Sequence, residues 1–299
     1  MRKLIMAALL ATLAHSNLCC AKGPAYDTEK TASDVPTFAI QGEYVAKGKG
    51  IQVIARGGDK CEVVEFEGGL PGAGWTGSDR KRTELSLAET KNFVKDLEKV
   101  DRKSPTLGAK PPESAIVLFD GTSETAQDHW VDAKLTDNGL LKEGVRSKET
   151  FRDFHLHMEF KLPFMPDDQE QARGNSGCYL QGRYEVQLLD SFGLEGLDNE
   201  CGGIYKAAAP NVNMCFPPLS WQTYDIVFTA ARFNDAGIKT NNAQVTVKHN
   251  GVVIHENLEL PTNTPGGVLN GEADTPGPIF LQNHGDPVRF RNIWVVPKE

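Results

Sequence analysis

After residue 21 the sequence has no apolar run of the roughly 20 residues that a membrane-crossing helix needs. Cysteine is scarce: there are six, two of which are Cys19 and Cys20, and none of the four after residue 21 forms a Cys-x-x-Cys pair or has a close histidine partner. That absence argues against a structural zinc site. Positive charge is the rarer sign, with 32 lysines and arginines against 40 aspartates and glutamates and a net charge of -8. An acidic chain of this kind is a poor partner for nucleic acid or for an anionic membrane surface. Helical periodicity is nearly missing. Only Ser86-Leu87-Ala88-Glu89, followed by Phe93, Val94, Leu97 and Val100, joins a capping box to helical spacing.

What is present at the start is Met1-Arg2-Lys3, an apolar run over residues 4–13, and small and polar residues up to Ala21, the layout of a secretory signal peptide. Cleavage after Ala21 predicts export to a periplasm or the medium. It removes Arg2 and Lys3 and no acid, so the rest of the chain is two charges more negative. Ser16-Asn17-Leu18 lacks the small residue expected before a lipidated cysteine, which favours a free product over a lipid-anchored one. Export permits disulfides among Cys61, Cys178, Cys201 and Cys215, and Cys201 with Cys215 closes the shortest loop. Spacing does not establish connectivity, so a disulfide and two thiols both stay open there.

About 280 residues after the leader suit one large or two unequal domains. The best boundary is the Pro-, Gly- and Lys-containing stretch 101–112. Residues 27–100 predict a small β-rich unit, with short strands over 35–67 and one closing helix. Gly68-Gly69-Leu70-Pro71-Gly72 lacks the P-loop lysine and reads as a turn. Residues 113–299 are almost entirely strand-like. Strands are expected at 154–161, 178–189, 221–230, 243–248, 252–257, 279–283 and 288–296, with a hairpin turn at His249-Asn250-Gly251. Many short strands without intervening helices predict a mainly β fold, a sandwich of two antiparallel sheets.

The chemically richest segment runs from Asn175 to Ser191. If it is one unbroken strand, Tyr179, Gln181, Arg183, Glu185 and Gln187 share a face, and Tyr184, Val186 and Leu188 point to the core. Two further strands carry polar rows: His155, His157 and Glu159, and Gln282 and His284 leading into Arg289 and Arg291. As neighbours on one concave sheet, the three rows form a single surface of amides, carboxylates and arginines suited to sugar hydroxyls. Tyr179 and Tyr205 are candidate stacking platforms, whereas Trp221 and Trp294 sit in apolar strand patterns and read as core. The run Glu185-Val186-Gln187-Leu188-Leu189-Asp190 resembles the E-x-D-x-x-E strand of laminarinase-like glycosidases. An amide replaces its middle acid, and an amide cannot share a proton with its neighbours as a carboxylate does.

Val117-Leu118-Phe119-Asp120-Gly121-Thr122, the 175–191 segment, Cys201-Gly202-Gly203-Ile204-Tyr205, Ala209-Pro210-Asn211, Trp221-Gln222-Thr223-Tyr224-Asp225-Ile226, Val247-Lys248-His249-Asn250-Gly251, Leu281-Gln282-Asn283-His284-Gly285 and Val288-Arg289-Phe290-Arg291-Asn292-Ile293-Trp294 run in the order of the secreted 3-keto-disaccharide hydrolase family. Over roughly residues 115–297 the chain resembles that family; residues 27–112 lie outside the resemblance. Cys178 stands where the family usually has an aliphatic residue, and Asn283 where aspartate is common. The resemblance implies a concanavalin-like jelly roll that cleaves glycosides already oxidised to a ketone at carbon 3. Such a ketone acidifies the hydrogen at carbon 2, so a base can take it, the enolate can expel the glycosidic oxygen, and water can add back. The chemistry needs a base, an enolate stabiliser and an acid. His284 or Glu185 is the candidate base, Arg183 or Arg291 the stabiliser, and Glu159 or His157 the acid or a metal ligand. A divalent metal held by His155, His157 and Glu159 is the alternative electrophile. Asn175, Tyr179, Gln181, Arg183, Gln187, Gln282, Arg289 and Arg291 are the candidate substrate-binding residues. A carbohydrate-binding module without turnover and a laminarinase-like glycosidase are the competing expectations.

Overall fold

Apolar residues at period two build this chain into antiparallel sheets, seen here in a computed structural model that describes residues 22–298. The signal peptide expected over residues 1–21 lies outside the described residues. A short helix, α1 (Glu29–Ala32), precedes five strands: β1 (Gly42–Ala46), β2 (Lys49–Ala55), β3 (Lys60–Glu67), β4 (Lys81–Ser86) and β5 (Glu98–Val100). They form one antiparallel sheet in the order β4-β3-β2-β1-β5. Helix α2 (Leu87–Val94) follows β4. Its capping box is complete, with Glu89 N–H donating to Ser86 Oγ and Ser86 N–H donating to the Glu89 carboxylate at 2.8 Å. Residues 35–40, expected to open the strands, form turns instead. Phe38 packs its ring against Phe164 at 5.2 Å between centroids, so its apolar surface is covered by docking rather than by pairing in the sheet.

The rest of the chain supplies β6 (Ile116–Phe119), β7 (Trp130–Val131), β8 (Leu141–Lys142), β9 (Val145–Ser147), β10 (Asp153–Lys161), β11 (Ser176–Leu180), β12 (Tyr184–Leu188), β13 (Trp221–Thr229), β14 (Arg232–Phe233), β15 (Lys239–Asn241), β16 (Ala243–His249), β17 (Val252–Leu260), β18 (Phe280–Leu281) and β19 (Arg289–Lys298). A seven-residue helix, α3 (Ser123–His129), was not signalled by periodicity and starts at a Thr122 cap. One sheet has the order β17-β16-β13-β10-β19-β6, with β8 also on β19; the facing sheet has the order β12-β11-β18-β9-β7. Phe154, Leu156, Met158 and Phe160 of β10 are fully buried, as are Val186 and Leu188 of β12 and Leu281 of β18, and all belong to one core. Each such side chain contributes about 1.5–3 kcal/mol by leaving water. The result is the expected jelly-roll sandwich. Asn250 and Gly251 both take positive φ, 49° and 80°, the backbone that a two-residue hairpin turn requires.

Two expectations are corrected. The 178–189 segment is not one strand. Gln181 and Gly182 take φ of 52° and 62° and fold it into a hairpin, so β11 and β12 pair with Tyr179 opposite Glu185 and Gly177 opposite Gln187. Gln181 and Arg183 therefore sit at the turn rather than in a row with Glu185. The three polar rows also do not share a sheet: β11, β12 and β18 belong to one, β10 and β19 to the other. Each sheet of a sandwich has its own outer face, so two separate polar surfaces result.

The second surface is covered by the chain itself. Residues 101–112, expected as a linker, cross the outer face of the β10–β19 sheet. Ser104 Oγ meets Thr223 Oγ1 at 2.6 Å, Thr106 donates to Asp225 at 2.8 Å, and Gly108 N–H donates to Glu159 Oε1 at 2.6 Å. The five-stranded sheet also holds the loop after β12. Arg82 donates to Gly193 O at 2.7 Å and pairs with Glu195 at 2.6 Å, and Arg80 donates to Leu194 O at 2.7 Å. Arg82→Ala is expected to cost about 1–3 kcal/mol, because it strips hydrogen bonds from a carbonyl and from two carboxylates at once. Denaturant unfolding together with limited proteolysis would detect the loss and faster cutting within residues 191–200; an unchanged midpoint and digestion pattern would contradict it.

Candidate active site

The hairpin places a carboxylate against a phenol. Tyr179 donates its hydroxyl hydrogen to Glu185 Oε2 at 2.7 Å, and Gln282 Nε2 approaches the same hydroxyl at 3.3 Å. With its amide nitrogen turned towards the carboxylate, Gln187 donates to Glu185 Oε1 and to Ser176 O, both at 2.9 Å. The space is made by glycine. A Cβ on Gly177 would fall 2.2 Å from Glu185 Oε1, and one on Gly266 would fall 2.6 Å from the Tyr179 hydroxyl. Any side chain at either position would push the pair apart.

Glu185 is 3% exposed, and among the described residues no lysine or arginine pairs with it. Burial pushes its carboxyl up to about 7, against the smaller, opposing effect of the Tyr179 hydrogen bond. Tyr179 is itself held far above the ordinary phenol value by burial and by the neighbouring carboxylate, so it stays a donor. A carboxyl that changes charge near neutrality, at the wall of a cavity, is equipped for proton transfer.

That cavity has a volume of about 270 Å³. Tyr179, Glu185 and Gln187 line it from the hairpin, Gln171 and Asn175 from the segment before β11, and Gln282 and His284 from the chain after β18. Tyr205, Lys206, Pro265 and Gly266 complete it. The structure thus brings together Asn175, Tyr179, Glu185, Gln187, Gln282 and His284. Asp286 ties two of these segments, accepting Asn175 N–H at 2.7 Å while Lys22 pairs with its other oxygen at 2.7 Å. Gln171, Lys206, Pro265 and Gly266 had no sequence signal as site residues, because they come from loops where no period applies.

The remaining candidates lie elsewhere, each for a visible reason. Gln181 Nε2 donates to Phe151 O at 3.1 Å, and Arg183 holds the carbonyls of Gly271 and Thr275 at 3.0 and 3.2 Å, so both brace loops around the hairpin turn. Arg289 pairs with Glu143 at 2.9 Å and Asp27 at 3.0 Å. Arg291 pairs with Glu159 at 2.7 Å and lies 3.9 Å from the Trp221 ring centroid. Trp221 itself is half-buried, not core. His157 stacks on Trp294 at 4.9 Å and bonds to Asp225 at 2.7 Å through Nδ1. Burial of Glu159 is outweighed by its bonds to His157, Asn292, Arg291 and Gly108, which hold it down to about 2. His157 and Glu159 are therefore part of the network that meets residues 101–112, whereas His155 packs edge-on against Trp294 at 5.3 Å between ring centroids. Among the described residues no group of three or more histidine, cysteine, aspartate or glutamate side chains is arranged to hold a metal ion. Of the two alternatives left open for Cys201 and Cys215, the structure has the thiols: both are buried and unbridged, with Cys201 Sγ 3.3 Å from Tyr224 Oη.

A larger cavity of about 640 Å³ opens between the five-stranded sheet and residues 217–221, but the acids lining it, Glu29 and Asp101, are exposed. It lacks a carboxyl poised for proton transfer.

A family model described as a 3-keto-alpha-glucoside-1,2-lyase-like domain matches residues 114–296. The chain belongs to that family. A crystal structure from Parabacteroides distasonis ATCC 8503, provisionally named a glycosyl hydrolase, is 34% identical with a TM-score of 0.56, covering 62% of this chain and 85% of that one. A second such structure from the same organism is 17% identical with a TM-score of 0.43, covering 64% and 99%. Among curated proteins none matches significantly. The lyase-like family match leaves out the β1–β5 sheet and the whole of the 101–112 segment, which lie outside the matched sandwich.

Because Glu159 binds residues 101–112 and Arg291 rather than lining the cavity, Glu159→Gln is expected to weaken folding by about 2–4 kcal/mol, as breaking a largely buried ion pair does. The folded variant should keep the wild-type turnover number on whatever glycoside the protein cleaves. Thermal unfolding and steady-state kinetics would check both, and a variant with intact stability but lost turnover would restore Glu159 as a catalytic candidate.

Proposed function

We propose that this protein cleaves 3-keto-glycosides by removing the proton at carbon 2, eliminating the glycosidic oxygen from carbon 1 and adding water. The observation that carries this reading is Glu185: it is the one carboxylate lining the cavity among the described residues, and its pKa lies near 7. Ordinary glycoside hydrolysis uses two carboxyl groups about the scissile bond. Here the remaining polar side chains of the lining are amides, phenols, an imidazole and one lysine, with no second carboxyl, so a one-base elimination fits better than a laminarinase-like mechanism.

In this reading Glu185 takes the carbon 2 proton. The electron pair moves into the bond between carbons 2 and 3, and the ketone oxygen becomes an enolate. When the carbonyl re-forms, the bond from carbon 1 to the leaving oxygen breaks, and His284, exposed beside the mouth, protonates that oxygen. Elimination leaves a double bond between carbons 1 and 2; the oxygen of a water then bonds to carbon 1, its released proton restores His284, and the proton held by Glu185 returns to carbon 2. Asn175, Gln187 and Gln282 orient the sugar hydroxyls, and Tyr179 fixes the base. A second polar surface of arginines and histidines is already satisfied internally, which leaves the cavity as the place for substrate.

Product analysis with a 3-keto-disaccharide and its unoxidised parent tests the reading: cleavage of the first alone is expected. Equal cleavage of both, or binding of either without cleavage, would overturn it. Glu185→Gln is expected to lower kcat by at least about a thousandfold, since it removes the base and not only a contact. The kcat/KM of the wild type should rise with pH through about 7 as Glu185 ionises. Tyr179→Phe removes the bond that favours the charged carboxylate, so this limb should move to higher pH; a shift to lower pH would contradict the role of Tyr179.

Glu185 also sets a pH-dependent stability. Its folded pKa lies above the ordinary 4.5, so the native state holds the proton more tightly than the unfolded chain does. That contribution is complete below about 4.5 and is lost as pH rises through about 7, a change on the order of 3 kcal/mol. Glu185→Gln cannot ionise and should therefore unfold at a higher temperature than the wild type at pH 8, while the difference narrows at pH 4.5. Differential scanning calorimetry at the two pH values decides this.

A further inference from the structure

The reaction needs positive charge near the ketone oxygen, and the arginines expected from the sequence are committed elsewhere. Lys206 is the one lysine or arginine that lines the cavity among the described residues. It sits at the tip of a tight turn closed by Ile204 N–H to Ala208 O at 2.9 Å and Ala208 N–H to Ile204 O at 3.0 Å. This turn is locked to the hairpin: Ile204 is core, it bridges to Val186, and Tyr205 N–H donates to Glu185 O at 3.2 Å. The backbone that carries Lys206 is thus bonded to the backbone that carries the base.

Lys206 takes φ of 59°, a left-handed conformation that suits glycine and strains a side chain with a Cβ. Its ammonium lies 5.4 Å from the Tyr205 ring centroid and forms no ion pair among the described residues. A strained position, an unpaired cation and a cavity wall shared with a buried carboxyl occur together. We propose that Lys206 is a catalytic residue whose ammonium stabilises the enolate oxygen formed when Glu185 removes the carbon 2 proton. No bond to lysine forms and no proton leaves it; it supplies charge while the electron pair rests on the oxygen. Its interaction grows as the neutral ketone becomes an anion, so it acts on the chemical step more than on binding. The assignment rests on the 3-keto-glycoside reading above.

The test compares wild type with Lys206→Gly, Lys206→Met and Lys206→Arg on a 3-keto-glucoside. In parallel, hydrogen–deuterium exchange at carbon 2 is followed by NMR on a 3-keto-1,5-anhydroglucitol, which has no leaving group and reports enolate formation alone. Loss of the ammonium in the Gly and Met variants is expected to lower kcat and the exchange rate by about 10- to 100-fold, with KM changing far less. The Arg variant should keep most of both. Lys206→Gly should melt no lower than wild type, because glycine suits the left-handed backbone, so lost activity cannot be charged to misfolding. Wild-type kcat in Lys206→Gly would overturn the proposal while leaving the 3-keto reading intact. Slowed cleavage with unchanged exchange would also overturn it, since the cation would then serve the leaving oxygen. A wild-type protein that neither cleaves nor exchanges these compounds would remove the underlying reading and this assignment with it.

Discussion

The arrangement turns on the contact between Tyr179 and Glu185 across the β11–β12 hairpin. A carboxyl at the inner face of a cavity loses most of its hydration, and the usual remedy is an arginine or lysine that drives its pKa down. Here the remedy is a phenol and an amide, which hold the group in place with only a modest preference for the charged form. The hydrogen bonds fix direction while burial sets the affinity for the proton. Much of the surrounding sequence serves that compromise. Gly177 and Gly266 leave the volume, Thr264 Oγ1 accepts the Glu185 N–H at 2.8 Å and so fixes the backbone of β12, and Pro265 O lies 3.0 Å from the Tyr179 hydroxyl oxygen.

The layers behind the hairpin explain why it can be this exact in position. Tyr184, Val186 and Leu188 enter the core between the sheets, so the pleat that sends them inward sends Glu185 and Gln187 outward. On the far side, Asn199 O bonds to Gln171 Nε2 at 2.8 Å, and the same loop is held at residues 193–195 by Arg80 and Arg82. The five-stranded sheet therefore reaches the cavity wall through a short run of hydrogen bonds, although none of its residues lines the cavity. A sheet outside the family match thus buttresses one side of the site that the shared sandwich provides.

Much of this was legible in the sequence because it depends on local rules. The capping box at Ser86 and the Asn250-Gly251 turn are set by backbone geometry within a few residues, and the inward row of β10 is set by the period of the pleat. The site was half legible for the same reason. Tyr179, Glu185 and Gln187 do share a surface, but by pairing across a turn rather than by alternation along one strand, and Gln181-Gly182 gave no stronger hint than a single glycine. Which sheet a strand joins is a long-range fact, decided by core packing, and no spacing reveals it. That is why Glu159, His157 and Arg291 were grouped with Glu185, and why Lys206, on a loop with no period, carried no signal. The thiols of Cys201 and Cys215 are another case: nearness in the chain did not determine that they would stay unbridged.

Glu159 and Glu185 make the physical contrast plain. Both are glutamates on outward faces of strands, both are almost fully buried, and they differ in what covers them. Glu159 is covered by the chain's own residues 101–112 and is met by an arginine, an asparagine, a histidine and a backbone amide, so it is held ionised down to about 2. Glu185 is left with two neutral donors beside an open cavity and titrates near 7. A fully satisfied carboxylate stabilises a fold and has no proton to exchange under ordinary conditions, whereas a poorly satisfied one costs stability and gains reactivity. Separation of the two polar surfaces onto opposite sheets is what allows one chain to hold both. Had the rows been neighbours, as their residue types suggested, the arginines would have paired with Glu185 and lowered its proton affinity out of the useful range.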